Sequence, residues 1–311
     1  MPVRLLAEIT SPIMKFLLSL FWTLCLSASF LTAVEKPHAV FVVGTPHYSP
    51  AKTMPPLAKQ LEENHGWKTT VIMPEGNPEK NPKGIAGLEA LKDADVAIFY
   101  LRFLTLPADQ LAHIENYLKS GKPVVGFRTS THAFTYPKDH QLAKWNDGFG
   151  KDALGSKYFI HGQGSTMTEP VQKQRGHEIF TGYNQAAPRQ VAGTLYLSDV
   201  PKNATVLMTG TGKFKRTGKV TNGFGTHDLK AEMTDDVAWT WENQWGGRVF
   251  GTTLGHPDTF KDANFVRLFI NGIHWAAGKP VPPASAKVEV IGGSSEAAQK
   301  PKKIAASKKQ T

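Results

Sequence analysis

The chain has 311 residues, with 36 Lys and Arg against 26 Asp and Glu, one Cys, 41% hydrophobic residues and 20% charged ones. Those values belong to a globular protein: they exclude a disordered, collagenous or coiled-coil chain, and a single Cys excludes a disulfide scaffold or a Cys-rich zinc site. The net charge of +10 divides into +1 over residues 1–33, +5 over 34–281 and +4 over 282–311; no stripe of Lys and Arg gathers it on one face, so no nucleic-acid partner is expected.

Residues 16–26 (FLLSLFWTLCL) form an apolar run behind Lys15, followed by small residues leading to Ala33. This is the order of a secretory signal peptide, too short to span a bilayer, so residues 1–33 are expected to be removed and the protein to be secreted or periplasmic. Met14, just ahead of Lys15, would suit as the start of such a leader. Cys25 falls inside the run, which leaves the mature protein without thiol chemistry. Residues 282–311, rich in Pro, Ser, Ala and Lys, read as a disordered tail whose lysines offer a weak contact to an anionic envelope surface. The folded domain is therefore placed at residues 34–281, and nothing in the pattern fixes an oligomeric state.

In chain order, residues 39–43 (AVFVV) predict a strand buried on both faces, 54–64 a helix with Leu57 and Leu61 on one side, and 68–73 a second strand. Residues 96–101 (VAIFYL) are a further buried strand. Pro107 and Gly121 bracket a helix over 108–119 with Leu111, Ile114 and Leu118 on one face, and 122–127 (KPVVGF) returns as a strand. Residues 135–235 are less regular, with a weak strand signal at 205–208 and long loops expected over one sheet edge. Residues 237–242 (VAWTWE) and 248–253 (RVFGTT) predict a hairpin through Gly246 and Gly247, and 263–277 an amphipathic helix stopped at Gly278. This alternation predicts an α/β fold of three layers: a mostly parallel sheet with helices on both faces, flavodoxin-like in class.

In an open parallel sheet, ligands bind beyond the carboxyl ends of the strands. Those positions hold His47 and Tyr48 after the first strand, Arg102 after the third, Arg128, Thr129, Ser130 and His132 after the fourth, and His256 and Asp258 after the last. A lone histidine in such a loop is commonly a hydrogen-bonding residue, but His47, His132 and His256 at one sheet edge make a candidate site.

Residues 237–278 (VAWTWENQWGGRVFGTTLGHPDTFKDANFVRLFINGIHWAAG), with residues 123–134 (PVVGFRTSTHAF), resemble the trehalose-utilisation, ThuA-like family over about residues 38–279. The resemblance implies a class I glutamine amidotransferase-like fold and a small-molecule carbohydrate partner, such as a disaccharide or a keto-sugar derivative. Amidotransferases of this class place a Cys at the turn after a strand, within G-x-C-x-G, and a His-Pro-Glu-like segment after a late strand. This chain has Gly126, Phe127, Arg128, Thr129 and Ser130 at the turn, and keeps His256, Pro257 and Asp258. A guanidinium stays protonated, so Arg128 cannot be the nucleophile and glutamine hydrolysis by that route is excluded.

What remains is Arg128, His132, His256 and Asp258 as candidate catalytic residues, with His47, Tyr48, Arg102, Thr129, Ser130 and Trp241 as candidate substrate contacts. Arg128 would orient an oxygen through its fork of donors. His256 would act as acid or base with Asp258 fixing its tautomer, while an Asx turn or helix cap is the competing role for Asp258. A divalent metal held by His47, His132 and His256, with His161 or Glu242 in addition, is the alternative, although no H-E-x-x-H-type spacing is present. Tyr48, Trp145, Tyr158, Trp239, Trp241 and Trp245 are candidates to stack on a sugar ring; Trp239 and Trp241, on one face by alternation, equally fit packing. The expected functions are a hydrolase, lyase or isomerase step on a sugar, a non-catalytic carbohydrate-binding protein with a degenerate pocket, or a metal-dependent hydrolase.

Overall fold

A strand that is apolar at every position needs cover on both faces. In the computed structural model, which describes residues 35–74 and 82–292, the first strand β1 (His38–Gly44) turns Ala39, Phe41 and Val43 to one core and Val40 and Val42 to the other. The chain continues through α1 (Pro50–His65), β2 (Lys68–Ile72), β3 (Val96–Leu101), α2 (Ala108–Lys119), β4 (Val124–Phe127) and α3 (Trp145–Gly148). Seven short or polar strands follow: β5 (Tyr158–His161), β6 (Gln163–Pro170), β7 (Arg189–Val191), β8 (Tyr196–Ser198), β9 (Thr205–Lys213), β10 (Gly218–Asn222) and β11 (Gly225–Leu229). The hairpin β12 (Glu232–Glu242) and β13 (Arg248–Thr252) and the helix α4 (Ala263–Ala276) complete it.

One core holds Met54, Leu57 and Leu61 of α1 and Phe265, Leu268, Phe269 and Ile273 of α4; the other holds Leu111, Ile114 and Leu118 of α2 with Trp145 and Phe149. The three-layer expectation therefore stands, with helices on both faces. Full burial of each large apolar side chain contributes about 1.5–3 kcal/mol, so these two helical layers fix the sheet between them. Helix α1 starts four residues ahead of the predicted 54–64, because Pro50 suits a first helical position.

The nine-stranded sheet has the order β2-β1-β3-β4-β13-β12-β9-β6-β7. From β2 to β13 every pair is parallel; from β13 through β12, β9 and β6 to β7 every pair is antiparallel. The expectation of long loops over 135–235 is corrected here: β6, β7 and β9 extend the sheet, while β5 with β8 and β10 with β11 form two small two-stranded sheets. Their strand signal is weak because the buried positions of β6 are Thr166, Thr168 and Pro170 rather than large apolar residues, alternating with exposed ones.

The order also shows where a site can form. From β1 the chain steps to β2 on one side and later to β3 on the other, so the loops after β1 and β3 part and leave a crevice at the carboxyl ends of the strands. The expected tail boundary at residue 281 moves. Gln60 of α1 donates to the Glu289 carbonyl and accepts from its N–H, both at 2.8 Å, and Ile291 is buried. Residues 282–292 are thus packed on the domain, while the remainder of the proposed tail and the proposed signal peptide lie outside the described residues. Among the described residues no helix is long and apolar enough to cross a membrane.

Candidate functional site

Three loops at the crevice carry strained backbone, one of them after β3, where Phe103 is left-handed at φ 49°. After β1, Tyr48 and Ser49 are both left-handed, at φ 65° and 46°; after β4, Arg128 is left-handed at φ 43° and opens a tight turn, Arg128–His132. Non-glycine residues in this region cost on the order of 1–3 kcal/mol each, and persist where the surroundings over-determine them. The turn after β4 is held from below by Gly150, where a Cβ would collide with the carbonyl oxygens of Thr131 and Ser156. A sharp strand-to-helix turn of this kind is one on which hydrolases mount a nucleophile; here it presents an arginine.

Arg128 is nearly inaccessible, at 1% exposure, and its side chain turns inward. Nη1 donates to the Thr253 carbonyl at 2.9 Å, and Nη2 donates to the Tyr48 hydroxyl at 3.1 Å and to the Thr194 carbonyl at 3.5 Å. The guanidinium lies between two phenol rings, 4.2 Å from the centroid of Tyr48 and 4.5 Å from that of Tyr196. Each such cation–ring contact favours the charge, by about 2 kcal/mol or more where water is excluded.

The two phenols are driven apart. Burial alone would push the Tyr48 hydroxyl up, but the Arg128 charge, the hydrogen bonds from Tyr196 and Arg128, and the Arg102 charge outweigh it and hold Tyr48 below its ordinary value. Burial sends Tyr196 well above, against the Arg128 charge. Tyr196 therefore keeps its proton and donates it to the Tyr48 oxygen at 3.3 Å. The Tyr48 oxygen thus accepts two hydrogen bonds, one from a cation, an arrangement that favours its deprotonated form.

Four histidines surround this pair. His47 packs edge-on against Tyr48 at 4.2 Å and His256 does so at 5.6 Å. His132 is buried under the rings of Tyr158 and Phe103, at 4.3 and 5.0 Å, and His161 lies 6.2 Å from Tyr196. Burial, then Arg102 and Arg128, lower His47 and lower His132 well below the ordinary range; burial and Arg128 lower His256, with Asp258 opposing. All three imidazoles are neutral near neutral pH. Thr131 Oγ1 donates to the Arg128 carbonyl and so accepts from His132 Nδ1 at 3.3 Å, which leaves Nε2 of His132 as the lone pair.

The roof comes from the two small two-stranded sheets. Strands β5 and β8 deliver Tyr158, His161 and Tyr196, and the tip of the β10–β11 hairpin brings Phe224 to 5.0 Å from Tyr158 and 6.4 Å from Phe103. Gly193, at φ 94°, lets the chain pass so near Arg128 that a Cβ there would lie 3.0 Å from Nη2.

A model of the ThuA family, described as trehalose utilisation, matches residues 39–276. The chain belongs to this family. Among solved structures, a ThuA-like protein from Parabacteroides merdae is 15% identical, with a TM-score of 0.54 over 81% of this chain and 96% of that one. The mmIFT52 N-terminal domain is 12% identical at a TM-score of 0.45, over 79% of this chain and 99% of that one. At these identities the likeness concerns the fold alone. No curated protein matches.

In this ThuA-family chain, the structure brings His47, Tyr48, Arg128, His132 and His256, all named from the strand ends, to one place. Other expected roles change. Ser130 is committed to the scaffold: its Oγ donates to the Phe99 carbonyl and accepts from the Leu101 N–H. Thr129 is fully buried, and its Oγ1 has no hydrogen-bond partner among the described residues. Asp258 does not fix the tautomer of His256. Nδ1 of His256 accepts the Asp258 backbone N–H at 3.2 Å, the carboxylate lies 3.7 Å away, and its own partner is Lys261 at 2.6 Å. The proton of neutral His256 therefore sits on Nε2.

Trp241 and Glu242 are at the wrong end of the sheet. Strand β12 runs against β13, so Ala238 sits opposite Thr252 at the carboxyl end, while Trp241 and Glu242 face Val249 and Arg248 at the amino end, about 10 Å away along the strand. Trp239 is buried with its Nε1 on the Leu154 carbonyl, and Trp145 stacks on Trp245. The metal reading is corrected as well: among the described residues, no group of three or more His, Cys, Asp or Glu side chains is placed to hold a metal ion. Guanidinium and phenol groups, not carboxylates, fill the space between the histidines. Tyr196, Gly193, Thr194, Phe103 and Phe224 were not singled out in the sequence; the one local signal was the β-prone TLYLS stretch beside Gly193.

Proposed function

We propose that this ThuA-family protein acts on a sugar or a keto-sugar derivative by proton transfer, with Tyr48 as the base. The observation that carries the reading is the Tyr48 oxygen accepting from both Arg128 and Tyr196. A phenol held below its ordinary value reaches its phenolate form more readily, and the phenolate can take a proton from a hydroxyl or from the carbon beside a keto group, becoming the neutral phenol. Neutral His256, with its proton on Nε2, and His132, with its Nε2 lone pair, supply a donor and an acceptor for the oxygens of such a substrate. This division of roles fits an isomerase or lyase step better than a hydrolysis through a covalent intermediate, because the strained turn carries no nucleophile.

The alternative reading, a carbohydrate-binding protein without turnover, draws on the inward commitment of Arg128. Incubating the full chain with a panel of disaccharides and their keto forms, and following products by NMR, separates the two. Turnover that falls about 100- to 10,000-fold in Tyr48→Phe while ligand affinity is retained supports the proton-transfer reading. Binding without turnover supports the alternative, and binding of no sugar sinks both.

A further inference from the structure

Arg128 commits both of its Nη groups to the protein, but the second cation of the crevice does not. Arg102 follows β3 directly, half-buried, and among the described residues it finds no hydrogen-bond acceptor and no carboxylate. Its guanidinium lies on the face of Phe103, 4.3 Å from the ring centroid. Phe103 is itself left-handed, at φ 49°, and its ring is packed against His132 and Phe224. The cation is thus placed on an aromatic shelf with its fork unspent.

Among the described residues no carboxylate compensates this charge in the crevice. The acid beside His256 is Asp258, which Lys261 neutralises at 2.6 Å. No carboxylate is among the groups that act on His47 or His132, whereas both guanidinium groups are. Such a crevice has a standing excess of positive potential over its mouth.

The geometry points to a ligand that carries a carboxylate: a sugar acid, such as an aldonate, keto-aldonate or uronate, with its carboxylate forked on Arg102 and its ring or chain against Phe103, Phe224 and Tyr158. A planar guanidinium with two free N–H groups matches a carboxylate bidentately. One free fork suits a monoanion. A phosphate dianion asks for more donors than remain once Arg128 is committed to Thr253, Tyr48 and Thr194. This inference rests on the carbohydrate reading above and narrows its substrate class.

Calorimetric titration of the full chain with D-gluconate and D-glucuronate, against D-glucose and its methyl glycoside, tests it. The acids are expected to bind roughly 10- to 100-fold more tightly than the neutral sugars, the span of a charge-assisted pair. In Arg102→Gln the acid-to-neutral affinity ratio should collapse to about one, and in Arg102→Lys, which keeps the charge without the fork, it should fall between. Thermal melting checks that the variants are folded, which the half-buried and unbonded setting of Arg102 favours. Equal affinity for acids and neutral sugars, a ratio that survives Arg102→Gln, or tighter binding of glucose 6-phosphate than of either acid would overturn the inference and leave the carbohydrate reading standing. Binding of no sugar of either kind overturns both.

Discussion

At the β13–β12 seam the sheet changes from parallel to antiparallel, and the two sides do different work. The parallel side is apolar on both faces, clamped between helices, and it supplies the strained turns that hold Tyr48 and Arg128. The antiparallel side is rich in threonine and glycine, and the segments that connect its strands close over them: the separate β5–β8 sheet with Tyr158, His161 and Tyr196, and the Gly193 passage. A site assembled this way has its chemistry on rigid strand ends and its environment set by a second layer. Tyr48 is lowered first by the Arg128 charge from the parallel side and then by the hydrogen bond that Tyr196 donates from the layer above.

The largest effect that separates the two sides is acid lability on the parallel side. His274 of α4 accepts the Trp67 indole N–H on Nε2 at 2.8 Å and bonds the Pro280 carbonyl through Nδ1 at 2.8 Å, so its neutral form is the one that fits. Burial depresses it to about 4. Because the folded value lies below the unfolded one of about 6.5, the unfolded chain takes the proton first as pH falls. The contribution is intact above that range and is lost between about pH 6.5 and pH 4, on the order of 3 kcal/mol. Denaturant unfolding of His274→Gln across this range should show a slope shallower by about 1.4 kcal/mol per pH unit. An unchanged slope would assign the lability to other depressed histidines, His132 first among them.

A smaller effect tests the contact between the sides. Gly193→Ala places a Cβ at φ 94° and 3.0 Å from Arg128 Nη2, with an expected cost of about 1–3 kcal/mol in the denaturant midpoint. If the guanidinium is what lowers Tyr48, displacing it should also move the ascending limb of any pH–rate profile, which follows deprotonation of the base, to higher pH. A destabilised variant with the limb unmoved would show that the antiparallel side covers the site without tuning it.

The same division explains what was legible in the sequence. Strands such as VAIFYL announce themselves because every position is buried, and the rule that ligands sit beyond parallel strand ends located Tyr48, Arg128, His132 and His256 without coordinates. The other side hides its strands: Thr166 and Thr168 fill core positions in β6, and an exposed face alternates with them, so the pattern resembles a loop. Tyr196 reaches Arg128 across 68 residues of chain, and such a meeting leaves no local periodicity. The direction of β12 misled in the same way. Its apolar alternation shows which face Trp241 takes, but only the antiparallel pairing shows that it ends far from the site.

Asp258 gives the smallest expected effect and the sharpest limit on the site. Its position two residues after His256 invites a base-orienting role, yet the carboxylate is half-exposed, turned to Lys261, and 3.7 Å from an Nδ1 that already accepts a backbone N–H. Exposed pairs of this kind contribute about 0–1 kcal/mol, so Asp258→Asn should alter stability by less than that and activity by no more than about threefold. His256 would titrate slightly lower, since Asp258 is the one group that raises it against burial and Arg128. An orienting carboxylate would behave otherwise, because its loss frees the wrong tautomer, and triads lose several orders of magnitude for that reason. A loss of that size in Asp258→Asn would move the chemistry from the Tyr48–Arg128 pair to the His256 loop; a small one leaves the loop's hold on His256 to its backbone.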